Sequence, residues 1–170
     1  IMYLLTPDPD GVIYGNRFSV SSVRGAVRGT IAHELQHLIN QCVRQARTAP
    51  PEADWMNEGL SHLAEELVGR SARGFAPTRP LTYNDVLTDL EDFDAFFRQN
   101  LIRLRAWMNR PDLASPISSR ALTELAPRGA AWALLRYAID QYGGSTPAAM
   151  TRALVAGPQA DVANLEARTR

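Results

Sequence analysis

Two histidines four residues apart carry the strongest chemical pattern in this sequence. They lie in the segment His33-Glu34-Leu35-Gln36-His37, which has the form H-E-x-x-H. On a helix, residues four apart share one face, so both imidazoles can point at a single metal ion. Zinc accepts imidazole nitrogen at about 2.0–2.1 Å, and the pair would supply half of a zinc site. The chain has only three histidines, which favours zinc binding over two unrelated solvent-facing residues.

Glu34 follows the first histidine by one residue, which rotates it by about 100° around the helix. Its carboxylate would then stand beside the metal without binding it. A general base has to occupy this position to take a proton from a water that zinc activates. The pattern therefore predicts hydrolysis with Glu34 as the base.

A third ligand has to come from a separate segment, because one helix presents only two side chains to one point. Glu58 is the natural candidate, since its distance from His37 leaves room for a helix end, a loop and a second helix. His62 lies one turn further, where it could hydrogen-bond a ligand, bind substrate or be a surface residue. Glu65 could pair with His62 or face water. The opposite face of this second helix carries an apolar stripe formed by Leu60, Leu63 and Leu67.

The expected fold class is α+β, predominantly helical, with short N-terminal strands before the zinc helix. Ile1–Leu5 and Val12–Tyr14 are apolar, β-prone runs on either side of a turn, and we predict a strand for each. The edge of the second strand could pair with an extended peptide, or the two strands could form an ordinary hairpin.

The remaining chain predicts helices. The zinc helix is expected at about 22–47, with Ser21 or Ser22 as its N-cap, and the second helix at 54–68. A helical C-terminal part is expected over 83–170. The apolar face of the zinc helix is expected to pack on the core through Val27, Ile31, Leu35, Leu38 and Cys42. We expect residues 1–170 to form a single catalytic domain excised from a longer precursor.

The composition limits the classes of binding partner that we expect. The chain has 18 basic and 18 acidic residues and no net charge, which argues against nucleic acid or an anionic membrane. No apolar stretch reaches the roughly 18 residues of a membrane span. A single cysteine excludes an intramolecular disulfide framework.

The H-E-x-x-H segment, followed by Trp-Met-Asn-Glu-Gly at 55–59, resembles the gluzincin metallopeptidases. The closest resemblance is to the hyicolysin family of bacterial neutral zinc peptidases. It covers about residues 30–67 and extends more loosely over 128–144. It implies a zinc endopeptidase that acts on peptides or proteins and is secreted, extracellular or periplasmic in a bacterium.

The resemblance also implies roles for individual residues. His33, His37 and Glu58 would bind zinc, and Glu34 would be the base. Gluzincins usually add a tyrosine or histidine that stabilises the oxyanion, but Arg128 stands where we would expect tyrosine. The candidates for this role are Arg128, Tyr137, Tyr83 and His62.

Two alternatives stay open at this point. Arg128 could instead be a residue at the start of a helix that pairs with a nearby carboxylate. The whole chain could be a zinc-bearing domain that binds peptides, or serves a structural role, without turnover. Glu34 favours the enzyme, because a zinc site without catalysis has no need of a base.

Overall fold

The computed structural model describes residues 4–144 and 147–170, and this part of the chain is all-helical. Of the residues described, 69% are helical and none lies in a strand. The α-helices are α1 (Val20–Ala46), α2 (Asp54–Ala72), α3 (Tyr83–Leu87), α4 (Leu90–Phe96), α5 (Arg98–Asn109), α6 (Leu125–Tyr142), α7 (Pro147–Ala156) and α8 (Asp161–Thr169). Two 3-10 helices, Pro111–Leu113 and Ser119–Leu122, connect α5 to α6. None of the described helices is long and apolar enough to cross a membrane.

The predicted α+β class is therefore wrong, and its error lies in the N-terminal strands. Residues 1–3 lie outside the described residues, and residues 4 and 5 have no regular structure. Residues 12–14 form a turn instead, because the carboxylate of Asp8 accepts their backbone N–H groups at 2.8–3.0 Å. A single β-bridge joins Asp8 to Phe18. The strand edge that could have paired with a peptide is absent from the part of the chain that the structure describes.

The histidine face of α1 is the one that packs, which reverses the prediction. Its buried residues are Val23, Gly25, Gly29, His33, Asn40 and Arg44. A Cβ added at Gly29 would lie 2.3 Å from the carbonyl oxygen of Ala95 in α4, so the helices approach closely only because glycine is there. The residues expected to pack are exposed or half-buried: Val27, Ile31, Leu35, Leu38 and Cys42. Ser19, rather than Ser21 or Ser22, caps the helix.

The apolar core lies on the other side of α2, between α2, α6 and α7. The predicted stripe of α2 is confirmed, with Leu60 and Leu63 buried and Leu67 packed at the margin of the core. Gly59 allows α6 to approach, since a Cβ there would lie 2.8 Å from Leu135 and 3.2 Å from the backbone of Ala131. α2 therefore has an apolar side in the core and a polar side toward α1.

α5 crosses α6 at Gly129. A Cβ at this position would lie 2.2 Å from the backbone nitrogen of Leu104 and 2.4 Å from the carbonyl carbon of Arg103. Only glycine permits so close a crossing, and the crossing brings both Arg103 and Arg128 to the polar side of α2.

Candidate metal centre

The three predicted zinc ligands come together between α1 and α2. His33 Nε2 lies 3.1 Å from His37 Nε2 and 3.6 Å from Glu58 Oε2. His37 Nε2 lies 3.7 Å from Glu58 Oε1. Ligand atoms at 2.0–2.1 Å around one tetrahedral ion are about 3.4 Å apart, so these separations suit a single metal ion.

His62 joins the cluster from the next turn of α2. Its Nε2 lies 4.0 Å from Glu58 Oε2. One ligand atom each of His33, Glu58 and His62 lies within 4.8 Å of the others, and all three residues are buried. This group could hold a metal ion, a role that sequence reasoning did not give to His62.

Glu65 fixes the protons of two histidines through one oxygen atom. Its Oε1 lies 2.7 Å from His33 Nδ1 and 3.0 Å from His62 Nδ1. Burial would raise the pKa of Glu65, but hydrogen bonds from His33 and His62 outweigh it and hold the pKa at about 2. An ionised carboxylate only accepts, so both Nδ1 atoms must carry the proton. In a neutral imidazole with its proton on Nδ1, the lone pair is on Nε2, the nitrogen that faces Glu58.

Ser61 contacts the Nδ1 atom of His37 as Glu65 contacts those of His33 and His62. Its hydroxyl donates to Gln36 Oε1 at 2.8 Å, with Asn57 O as a second acceptor at 3.1 Å. The hydroxyl has only one proton, and when Gln36 or Asn57 accepts it, the 3.0 Å contact with His37 Nδ1 is a bond that His37 donates. In that tautomer, a neutral His37 presents the lone pair of Nε2 to the cluster.

The Nε2 atoms of three histidines thus meet one buried carboxylate. Burial lowers the pKa of His62 to about 4, although Glu65 opposes this effect, so the ring is neutral at pH 7. Glu58 Oε2 is buried and has no hydrogen-bond partner among the described residues. Lone pairs this close repel each other unless a cation lies between them, and neutral imidazole with carboxylate is a donor set for metal. The residues present fit a metal ion.

Arg128 is the only one of the predicted oxyanion candidates from α6 that reaches the cluster. Its NH1 lies 3.1 Å from Glu58 Oε2, an ion pair without hydrogen-bond geometry. Its other nitrogens donate to the carbonyls of Ala121 and Leu122, so it also holds the preceding loop. Tyr137 is 60% exposed and lies nine residues on, about 180° around the helix from Arg128. Tyr83, on α3, is also exposed.

Glu34 is half-buried beside the two α1 ligands. Its carboxylate forms no hydrogen bond or ion pair within residues 4–144 and 147–170, so no described side chain engages it. A cavity of about 520 Å³ opens next to His37. Amide side chains line much of this cavity: Asn40, Gln41, Gln45 and Asn57.

Sequence reasoning left two residues of the site without their role. It placed Glu65 on the same face of α2 as Glu58 and His62, but only as a possible partner of His62 or a residue facing water, and not as a partner of His33. It did not name Arg103, which comes from α5 and whose NH1 lies 3.1 Å from His62 Nδ1. Nothing in the sequence links two residues 41 positions apart.

Fold and site together define a helical protein with a buried His/Glu cluster that could hold a metal ion. Comparisons of the chain with family models, with curated protein sequences and with solved structures found no match. The function is therefore argued from the geometry of the site and from the motif residues.

Proposed function

We propose that the protein is a zinc-dependent metallopeptidase whose zinc ligands are His33, His37 and Glu58. The observation that carries the proposal is the convergence of two histidine Nε2 atoms on a buried carboxylate, at separations of 3.1–3.7 Å. Two imidazoles and one carboxylate are typical of catalytic zinc sites, which keep a fourth position for water or substrate. The resemblance to the gluzincins, and to the hyicolysin family among them, supports the same ligand set.

The chemistry follows from residues around these ligands. Zinc, when bound, polarises the scissile carbonyl and lowers the pKa of water toward about 7. Glu34 takes the proton of the attacking water and passes it to the leaving amine. Arg128 lies at the carboxylate ligand, where its fixed charge would stabilise negative charge that develops on the carbonyl oxygen. The cavity beside His37 gives a peptide access to the reacting atoms.

A zinc-bearing domain without turnover is the second candidate, and the position of His62 favours it. Structural zinc sites have four protein ligands and no open position. If His62 Nε2 bound the metal together with the other three residues, the site would be closed. In the peptidase, by contrast, His62 stays outside the coordination sphere and acts near the substrate.

Zinc content and peptide cleavage, measured on the same samples, separate the two functions. For the peptidase, we expect one zinc per chain and cleavage of fluorogenic peptides by the parental protein. His62→Ala would then keep its zinc and lose part of its turnover. A fully loaded parental protein that cleaves no member of a peptide library, together with zinc loss in His62→Ala, would overturn the peptidase in favour of the closed site.

A further inference from the structure

Arg103 is a charged side chain beside the cluster that forms no ion pair within 4.0 Å of a described carboxylate. Its NH1 lies 3.1 Å from His62 Nδ1, 3.4 Å from His62 Nε2 and 3.4 Å from Asn100 Oδ1. Its Nε is buried and has no hydrogen-bond partner within the residues that the structure covers. The neighbouring arginine differs, since Arg128 forms an ion pair with Glu58 at 3.1 Å.

The contacts of Arg103 give its N–H donors no good acceptor. His62 Nδ1 donates its own proton to Glu65 and cannot accept another. His62 Nε2 has a free lone pair, but the distance is 3.4 Å, longer than the 2.7–2.9 Å typical of a charged hydrogen bond. Asn100 Oδ1 is equally distant. A guanidinium with five N–H donors is thus left without a strong acceptor.

The charge around the cluster also favours an additional anion. The close crossing of α5 and α6 at Gly129 brings a second arginine, Arg128, to the same place. Three carboxylates can be counted against this charge: Glu58 and Glu65, which lie at the histidines, and Glu34, which follows His33 on α1. With a divalent metal ion and two arginines, the site has one positive charge more than these carboxylates neutralise. Half-buried charge of this kind is stabilised by a partner of opposite sign.

We propose that Arg103 binds a carboxylate of the substrate, so that the site takes peptides with a carboxylate next to the scissile bond. This proposal rests on the peptidase function of the same site. The planar guanidinium matches a carboxylate through two parallel hydrogen bonds. The carboxylate can belong to the C-terminus of the peptide or to an aspartate or glutamate side chain, and the two sources are distinguished by experiment.

The first test compares cleavage of matched peptides by the parental protein, Arg103→Gln and Arg105→Gln. Arg105 is an exposed arginine two positions further along α5 and serves as the control. One peptide pair has a free or an amidated C-terminus, and a second has Asp or Asn near the scissile bond. We expect the parental protein to prefer one carboxylate form by about ten-fold to a hundred-fold in kcat/KM, which is the scale of a charged hydrogen bond.

Arg103→Gln should lose this preference while it keeps its zinc content and melting temperature, and Arg105→Gln should retain it. The pair that shows the preference identifies the source of the carboxylate. The same preference in Arg103→Gln, or none in the parental protein, would overturn the role of Arg103 without affecting the peptidase proposal.

A binding measurement keeps the test independent of turnover. Isothermal titration compares an N-acetylated tripeptide acid with its amide, and an Asp-containing tripeptide amide with its Asn counterpart, on zinc-treated parental protein and on zinc-treated Arg103→Gln. Any contact of the carboxylate with zinc is common to both proteins, so the difference between them reports Arg103. The carboxylate form of one pair should bind at least ten-fold tighter than its neutral counterpart to the parental protein, with a smaller ratio for the variant. Such binding in the absence of cleavage would support Arg103 and contradict the peptidase; equal ratios would contradict Arg103.

Discussion

Two buried glutamates six positions apart, Glu52 and Glu58, have opposite surroundings. Glu52 Oε1 accepts the backbone N–H groups of Ala53 at 3.0 Å and Asp161 at 2.6 Å. Its Oε2 accepts from Asn164 Nδ2 at 2.8 Å and lies 3.1 Å from Arg44 NH1. N–H donors surround this carboxylate, which connects the end of α1 to the start of α8.

Glu58 faces acceptors instead of donors. Its nearest neighbours on the α1 side are the Nε2 atoms of His33 and His37, at 3.6 and 3.7 Å, and neither forms a hydrogen bond with it. Arg128 is its only ion-pair partner of fixed charge among the described residues. A carboxylate closed by donors stabilises the fold, whereas one that faces lone pairs needs a cation. The contrast indicates that Glu52 has a structural role and Glu58 a ligand role.

The largest expected effect is on zinc affinity, which substitution of Glu58 should lower and substitution of Glu52 should not. Glu58→Ala should lower zinc affinity by far more than the ~10–100-fold that removal of a residue behind a ligand costs, because the ligand itself is lost. Competition with a chromophoric chelator measures the affinity. Glu52→Ala should keep parental zinc affinity, and equal losses in the two variants would remove the contrast.

The free energy of unfolding should show the reverse order, with the larger loss in the Glu52 variant. Glu52→Ala leaves Arg44 buried without its carboxylate and removes the acceptor of Asn164, so the free energy of unfolding should fall by about 3–5 kcal/mol. Urea denaturation of zinc-free protein measures this quantity without a contribution from the metal. Glu58→Ala should be destabilised much less under the same conditions. A larger loss in Glu58→Ala would mean that the histidine cluster holds the fold.

Glu34→Gln should separate binding from chemistry. The amide keeps the shape of the side chain but is not basic, so turnover should fall by ~10² or more while zinc content stays at the parental level. Parental turnover in this variant would show that Glu34 is not the base. Glu166→Gln serves as a matched control, because it makes the same change at an exposed carboxylate on α8.

Glu65→Gln should have the smallest effect of these substitutions. The amide can no longer accept both Nδ1–H groups as an anion, so the protons of His33 and His62 are no longer fixed. Zinc affinity should fall by about 10–100-fold, with the ligands themselves unchanged. The chelator competition used for Glu58 checks this, and unchanged affinity would show that Glu65 does not position the ligands.

The ligands were predictable from sequence, because the chemistry imposes the spacing. His33 and His37 are one helical turn apart, and Glu58 lies on the next long helix, as the structure has it. The predicted bounds of these helices, 22–47 and 54–68, lie close to the observed ones.

The packing of α1 was not predictable from hydrophobic periodicity. Periodicity finds an apolar stripe, but it does not tell which face packs when the buried face consists of glycines and hydrogen-bonded polar residues. Gly29 and Asn40 lie on that face, and exposed Leu35 lies on the other. The prediction of the second N-terminal strand was wrong because of a single polar side chain. The carboxylate of Asp8 accepts the backbone N–H groups of residues 12–14 that a sheet would have used.

The position of a metal ion in crystals grown with zinc tests the central claim most directly. We expect an anomalous difference map at the zinc edge to show one peak within about 2.0–2.2 Å of His33 Nε2, His37 Nε2 and a carboxylate oxygen of Glu58. His62 Nε2 should lie beyond bonding distance of this peak. A map with no peak at the cluster, or with its peak bound to other residues, would contradict the proposed zinc site.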